Sequence, residues 1–325
     1  FQAEDGIRDS VASRGLGDVY KRQYLKFKFK MFVIRFALLS SFFYALNVSM
    51  IPLIYTFEIS IFLFLFIRFG TTFCTSLLVT KSLFSYKKIK HHRITSWLLV
   101  LSFLFGIQSW LYVEAVKYMS VGLASVILFT YPLLTYLIVS LGKRRPLDLI
   151  TISMFLVATL GIAAISQSSE GFYTMIIGII LALLSALSYS LILILTPRVG
   201  SLKNWEIVKY TTLIPALTFL YLFIDEIGFY YPSGEGIILS LVSGTFFATG
   251  MMFYHISVRR YGPVRTANIG YTEPLLVLIF GFMAYSDAIT IIQALGVILV
   301  AIASITIERR QLTQGNSSEV KSSSE

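Results

Sequence analysis

Two ionisable residues lie where the chain offers them least water. Glu273 sits in "NIGYTEPLLVLIF" (268–280), beside Pro274, and Arg68 sits in "IFLFLFIRFGTTF" (61–73). A charge at the centre of a bilayer costs about 2.5–3.5 kcal/mol on insertion scales, so each is a functional candidate by default. Two roles are open for Glu273. It forms a static ion pair with Arg68 or another buried donor, or it faces a cavity and binds a proton or a cationic group, where desolvation favours its neutral form. Arg68 reads first as structural. Pro132 and Pro274 stand at matching places in "FTYPLL" (129–134) and "YTEPLL" (271–276), and Tyr131 takes the place of Glu273 in the first of these. A proline removes a backbone donor and frees the carbonyl four residues earlier, here those of Leu128 and Gly270. In a membrane such carbonyls need a new partner or a water-lined cavity, so each proline reads as a plain bend or, because the two recur at matching places, as one of a pair of kinks that line a cavity or flex. Asn268 and Thr272 share a helix face with i, i+4 spacing. Asn47, Gln108 and Trp110 lie deep in other apolar runs and complete a candidate substrate pocket with Tyr131, Asn268, Thr272 and Glu273. Each of these groups alone reads first as a packing hydrogen bond or a filler rather than as a ligand.

The elements that must position these groups follow from composition. The 325 residues are 56% hydrophobic and only 14% charged, with a mean hydropathy of +0.77. Soluble domains carry about 25% charged residues, so the chain reads as an all-α membrane protein. The net charge of +10 lies in short clusters between apolar runs rather than on one face, which argues against a nucleic-acid partner. The single cysteine, Cys74, excludes an intramolecular disulfide framework and a cysteine-based zinc cage. Walker A, H-E-x-x-H and G-x-S-x-G patterns are missing, so no cofactor and no enzymatic activity is expected. His91 and His92 belong to a basic loop and read as solvated rather than metal-binding. The sequon-like Asn47 and Asn316 fall within the membrane and in the terminal tail, so neither reads as a glycan site.

A bilayer core of about 30 Å needs about 20 apolar residues per helix. Ten candidate spans follow, at 32–54, 58–80, 96–115, 120–141, 147–166, 174–197, 205–225, 236–258, 264–284 and 288–307. Alternate connections hold Lys81, Lys87, Lys88, Lys90, Arg93, Lys143, Arg144, Arg145, Arg198, Lys203, Arg259, Arg260, Arg265, Arg309, Arg310 and Lys321, against Lys117 alone in the others. That bias places both termini in the cytoplasm. Arg68 is then ten residues into span 2 from Glu58, roughly 15 Å deep, and Glu273 is about as deep from the other side. Arg35, Lys209 and Arg265 lie near the inner boundary, where their side chains can snorkel. Residues 1–23 are polar and aperiodic, resemble adapter read-through, and are set aside as non-native or disordered; residues 308–325 read as a disordered cytoplasmic tail.

The chain also repeats. "ALLSSFFYALNVSMIP" (37–52) and "ALLSALSYSLILILTP" (182–197) share Ala, Leu, Leu, Ser, Tyr, Leu and Pro. Phe57-Glu58-Ile59 recurs as Trp205-Glu206-Ile207, Tyr118 as Tyr261, and "FTYPLL" as "YTEPLL". The matches keep one order, so two halves of five spans, 32–166 and 174–307, are the simplest account. Five is odd, so the second half enters the membrane inverted, an arrangement typical of transporters with a midplane site between repeats. Spans 1 and 6 carry small residues every fourth position: Ala37, Ser41, Ala45 and Ser49, then Gly178, Ala182, Ala186 and Ser190. Such stripes let helices approach closely in lipid, and the halves are expected to meet along them.

With the arginine in span 2 and the runs "YMSVGLASVILFTYPLL" and "GPVRTANIGYTEPLL", this arrangement resembles the EamA-type branch of the drug/metabolite transporter superfamily over about residues 32–307. The resemblance implies ten helices in two inverted repeats, a central cavity, and transport of a small metabolite by alternating access, with no cofactor. Gly142-Lys143-Arg144 stands where the family often has Gly-Glu-Arg. The expected function is a secondary transporter for an amino acid, amine or related compound in the cytoplasmic membrane. Its expected partners are the substrate and the bilayer, with the proton as candidate coupling ion and a homodimer as candidate assembly. The alternatives are a non-transporting partner subunit and an intramembrane protein acting on lipid carriers.

Overall fold

The computed structural model describes residues 34–54, 56–81, 92–118, 121–144, 147–166, 172–226, 232–285 and 290–322. Every regular element among them is helical. In chain order the helices are α1 (Ile34–Ile54), α2 (Ile61–Thr80), α3 (His92–Ala115), α4 (Val121–Leu128), α5 (Tyr131–Gly142), α6 (Leu149–Ser166), α7 (Phe172–Leu195), α8 (Asn204–Glu226), α9 (Gly234–Tyr261), α10 (Pro263–Ile269), α11 (Thr272–Tyr285) and α12 (Ile291–Ser322). A 3-10 turn, Thr196–Val199, follows α7.

Among the described residues seven helices are long and apolar enough to cross a membrane, α4 and α5 counting together as Ala124–Gly142. Two shorter apolar helices, Leu149–Ala164 and Ile291–Ile307, occupy the expected spans 5 and 10. Span 9 is no single helix but the pair α10 and α11. The expected tail also differs, since α12 continues to Ser322; its polar end contains no proline to stop it. Residues 1–23 and His91 lie outside the described residues.

Burial is inverted relative to a protein in water. Leu78, Phe103, Leu160 and Ile291 face outward, while Ser40, Asn47, Thr72, Ser102, Ser185 and Ser190 are buried. This is a multi-pass membrane protein: lipid solvates the apolar rim, and internal polar groups bond across helices.

Helix ends follow local chemistry. Ser233 caps α9 by accepting from the Gly236 N–H at 3.1 Å, with Glu235 in the first turn and Arg259 and Arg260 in the last; these charges complement the helix dipole. Gly262, at φ 90°, then turns the chain, a conformation glycine adopts without a Cβ clash. Pro263 starts α10, where its missing N–H costs nothing.

Packing has the pseudo-twofold symmetry expected of inverted repeats. α2 packs on α8, α6 on α12, α2 on α9 and α3 on α8, and α10 meets α5. The first span of each half meets the third span of the opposite half. Ser40 in α1 donates to Gly250 O in α9 at 3.0 Å, and its repeat partner Ser185 in α7 donates to Gln108 O in α3 at 2.9 Å. At the α6–α12 crossing a Cβ on Gly161 would lie 2.8 Å from Gly296 O.

Candidate functional site

Each half contains one broken crossing, and the candidate site lies where these breaks meet. The first falls at Phe129 and Thr130, between α4 and α5, and the second at Gly270 and Tyr271, between α10 and α11. Both breaks precede the prolines. Pro132 and Pro274 therefore stand in the first turns of α5 and α11, where proline is tolerated, rather than inside bent helices. Of the two outcomes expected for the Gly270 carbonyl, the structure shows a new partner: it accepts the Glu273 N–H at 2.9 Å in a tight turn. Glu273 occupies the first turn of α11. A carboxylate there meets the positive end of the helix dipole, which offsets part of the cost of taking it out of water.

Tyr131 begins α5 and reaches across to the second break. Its hydroxyl approaches Ala267 O at 3.4 Å and fills the space beside Gly270, where a Cβ would come within 1.9 Å of the Tyr131 oxygen. Glycine is thus required at position 270 by packing. The Tyr131 ring meets Tyr189 of α7 edge-on at 4.5 Å between centroids, and Tyr189 stacks on Tyr254 of α9 at 5.9 Å. Tyr112 of α3 hydrogen-bonds Ser125 at 2.8 Å. Glu273 interacts electrostatically with Arg68 and with the phenols of Tyr44, Tyr112, Tyr131 and Tyr189. Glu273 itself is half-buried, whereas Tyr131 is only 3% exposed. Arg68 places its guanidinium carbon 3.8 Å from the Phe247 ring centroid, clamping α2 to α9.

The remaining predicted residues divide. Thr272 adjoins Glu273 but turns its hydroxyl to Ile269 O at 2.8 Å. Asn47 is a clamp between α1 and α9, donating to Ser243 O at 3.0 Å and Ser243 Oγ at 2.6 Å. Asn268 is another, donating to Ser304 O of α12 at 3.1 Å. Both are 1% exposed; their NH2 groups join helices, while Asn47 Oδ1 and Asn268 Oδ1 are buried without a hydrogen-bond partner among the described residues. Trp110 points away from the site. It lines an apolar groove of about 360 Å³ with Phe103, Gly106, Ile107 and Pro215 between α3 and α8. It lies two positions before Tyr112, which puts the two on opposite sides of the helix. Gln108 joins α3 to α7, donating to Ser185 Oγ at 3.2 Å.

Lys209 is a further correction. It does not snorkel but is fully buried, donating to Thr80 Oγ1 at 3.2 Å beside the charge of Glu206. Arg35 is exposed, as expected of a boundary residue, and Arg265 is half-buried with its charge over the Tyr261 ring.

Sequence reasoning passed over Tyr44, Tyr112, Tyr189 and Tyr254. The repeat carried a usable signal, because Tyr44 and Tyr189 are the aligned tyrosines of "ALLSSFFYALNVSMIP" and "ALLSALSYSLILILTP". It also passed over His255, fully buried in α9 with its ring edge-on to Phe105 and Tyr254.

The chain matches the EamA-like transporter family twice, over residues 31–167 and 176–308. No curated protein matches it. A solved structure described as "Crystal structure of protein" is similar in fold, with a TM-score of 0.68 and 18% identity over 85% of this chain and 98% of that one.

Proposed function

Because this chain belongs to the EamA-like transporter family, we propose that it is a secondary transporter that moves a small amine-bearing metabolite, such as an amine or amino acid, across the cytoplasmic membrane by alternating access. One observation carries the reading. Glu273 lies half-buried at the junction of the two broken crossings, within electrostatic range of Arg68 and of tyrosines from α1, α3, α5 and α7. A carboxylate among aromatic faces suits an ammonium group, which gains both ionic and cation–π attraction once desolvated. Arg68 gives the opposite charge that a zwitterion's carboxylate needs. The two halves supply different walls of this site, so rocking one against the other exposes it to either side in turn. Glu273 then exchanges a proton for the substrate ammonium, which couples transport to the proton gradient. The ten crossings and cytoplasmic termini expected from the charge bias complete the proposal.

The test is transport by protein reconstituted in proteoliposomes under an imposed pH gradient, with a panel of amines, amino acids and neutral isosteres. Amine-bearing substrates are expected to accumulate in wild type, and Glu273→Gln is expected to abolish the pH-driven component. An unchanged pH dependence in that variant rejects the coupling role. Equal uptake of a neutral isostere rejects the amine assignment.

A further inference from the structure

A second cavity lies at the end of the molecule that carries Arg198, Lys203, Arg259 and Arg260, away from Glu273. Here the 3-10 turn after α7 and the loop entering α8 fold against the last turns of α9. Arg259 donates from Nη1 to Asn204 Oδ1 and from Nη2 to Gly200 O. Both acceptors are neutral, so they fix the guanidinium in place without cancelling its charge. Arg260 follows it in sequence, exposed, with its guanidinium carbon 5.7 Å from the Phe36 ring centroid. Pro197, Gly200, Asn204, Ile256, Arg259 and Arg260 line a cavity of about 310 Å³.

Among the described residues the lining contains two arginines and no acidic residue. The acidic residue of the adjoining helix start is engaged elsewhere: Glu206 accepts the Lys203 N–H at 2.8 Å and acts on the charge of Lys209. Arg198, the remaining arginine of the turn, is committed to the Trp97 ring at 4.4 Å. We propose that this cavity binds a phosphate-bearing anion, supplied either by an acidic phospholipid headgroup or by a dissolved phosphate.

Three features carry the assignment. A guanidinium presents a planar set of donors that matches phosphate oxygens, and one already held by neutral partners loses little freedom on binding. The volume lies at the small end of the range for ligand pockets, about 300–1,000 Å³, which fits a headgroup rather than a large solute. The cavity also stands at helix ends, where headgroups lie, with Ile256 supplying an apolar wall on the side of the bilayer. Basic pockets between helices at a membrane face recognise anionic headgroups by this combination.

The full chain in neutral detergent gives the test. Retained lipid is measured by native mass spectrometry with phosphatidylglycerol against phosphatidylcholine, and thermal stability is measured with inorganic phosphate against chloride at equal ionic strength. Wild type is expected to retain phosphatidylglycerol preferentially or to be stabilised by phosphate. Preference for phosphatidylglycerol alone assigns a lipid headgroup, and stabilisation by phosphate without lipid assigns a dissolved anion. Arg260→Gln removes an exposed charge and is expected to weaken the response about fivefold, the effect of one arginine near a surface. Arg259→Lys tests the planar donor set. If it does not fold, Arg260→Gln decides alone. Equal retention of both lipids with equal stability in phosphate and chloride overturns the proposal, as does an Arg260→Gln variant that responds like wild type.

Discussion

The breaks in the two halves share a backbone plan and differ in what they present. In the first half Tyr131 is buried, and its hydroxyl occupies the space beside Gly270. In the second, Glu273 stands at the equivalent position but is half-buried. The residues one turn earlier differ to match. At an offset of 142 the counterpart of Gly270 is Leu128, which packs as a partly buried core residue. A side chain is accommodated there, whereas Tyr131 requires the glycine opposite it. The symmetric parts, by contrast, are structural: Ser40 to Gly250 and Ser185 to Gln108 are the same clamp made twice. Symmetry builds the scaffold, and the two halves part at the broken crossings, where the proposed site lies.

Substitution at the unequal pair should have the largest effect. Glu273→Gln is expected to remove pH-driven uptake, whereas Tyr131→Phe, which deletes only the hydroxyl, is expected to keep it. Loss of pH dependence in both variants would show that the asymmetry does not carry the coupling. Gly270→Ala comes next. Its Cβ would sit 1.9 Å from the Tyr131 oxygen and 2.9 Å from Ala267 O, and overpacking of this kind costs about 1–3 kcal/mol. Combining it with Tyr131→Phe should recover part of the lost thermal stability, because the closest clash is gone. A double variant no more stable than Gly270→Ala would mean that the Tyr131 contact is not the cause. The clamps should respond weakly and alike. Ser40→Ala and Ser185→Ala are each expected to cost about 0.6 kcal/mol, typical of interhelical hydrogen bonds in membranes. Ser185 should be the larger, since its hydroxyl also accepts from Gln108 Nε2 at 3.2 Å.

The broad architecture was legible because it depends on sums over many residues. Apolar run length marked the crossings, and four ordered matches marked the repeat. The site was legible only in part. Glu273, Tyr131 and the paired prolines stood out because a charge or a ring-locked residue is costly in lipid. Trp110, Asn47 and Asn268 could not be placed, because depth along a helix does not reveal which side a residue faces. In uniformly apolar helices the usual polar stripe is missing, so nothing in the pattern separates lipid, neighbour and cavity. Asn47 and Asn268 cross-link helices through their NH2 groups, because a polar group in lipid needs a partner inside the protein. The position of the breaks was also hidden. Proline predicts a disturbance nearby, but only the packing of Tyr131 against Gly270 explains why the second helix ends where it does.

A smaller inequality between the halves offers a pH test away from the bilayer. The starts of α6 and α12 are equivalent at the same offset, Asp148 matching Thr290 and Thr151 matching Gln293. At α12 the cap is neutral: the Thr290 N–H donates to Gln293 Oε1 at 2.9 Å, and the Gln293 N–H donates to Thr290 Oγ1 at 3.2 Å. At α6 it is charged, with Asp148 accepting from Thr151 Oγ1 at 2.6 Å and pairing with Arg310 at 2.8 Å. Partial burial pushes the Asp148 carboxyl upward, but the hydrogen bonds from Thr151 and Arg310 and the Arg310 charge outweigh it and leave it below the usual aspartate value. The folded state therefore binds the proton less readily than the unfolded chain. The stabilisation is complete above the ordinary aspartate value of about 3.9 and is lost as pH falls through the lower native value. Because Arg310 is 37% exposed, solvent screens the pair and the effect should be at most about 1 kcal/mol. Thermal unfolding of wild type and Asp148→Asn should differ near neutral pH and converge in acid, whereas Thr290→Ala should shift stability by the same amount throughout. If the Asp148→Asn difference persists undiminished in acid, the pair with Arg310 does not stabilise this end of the fold, and the two caps are equivalent after all.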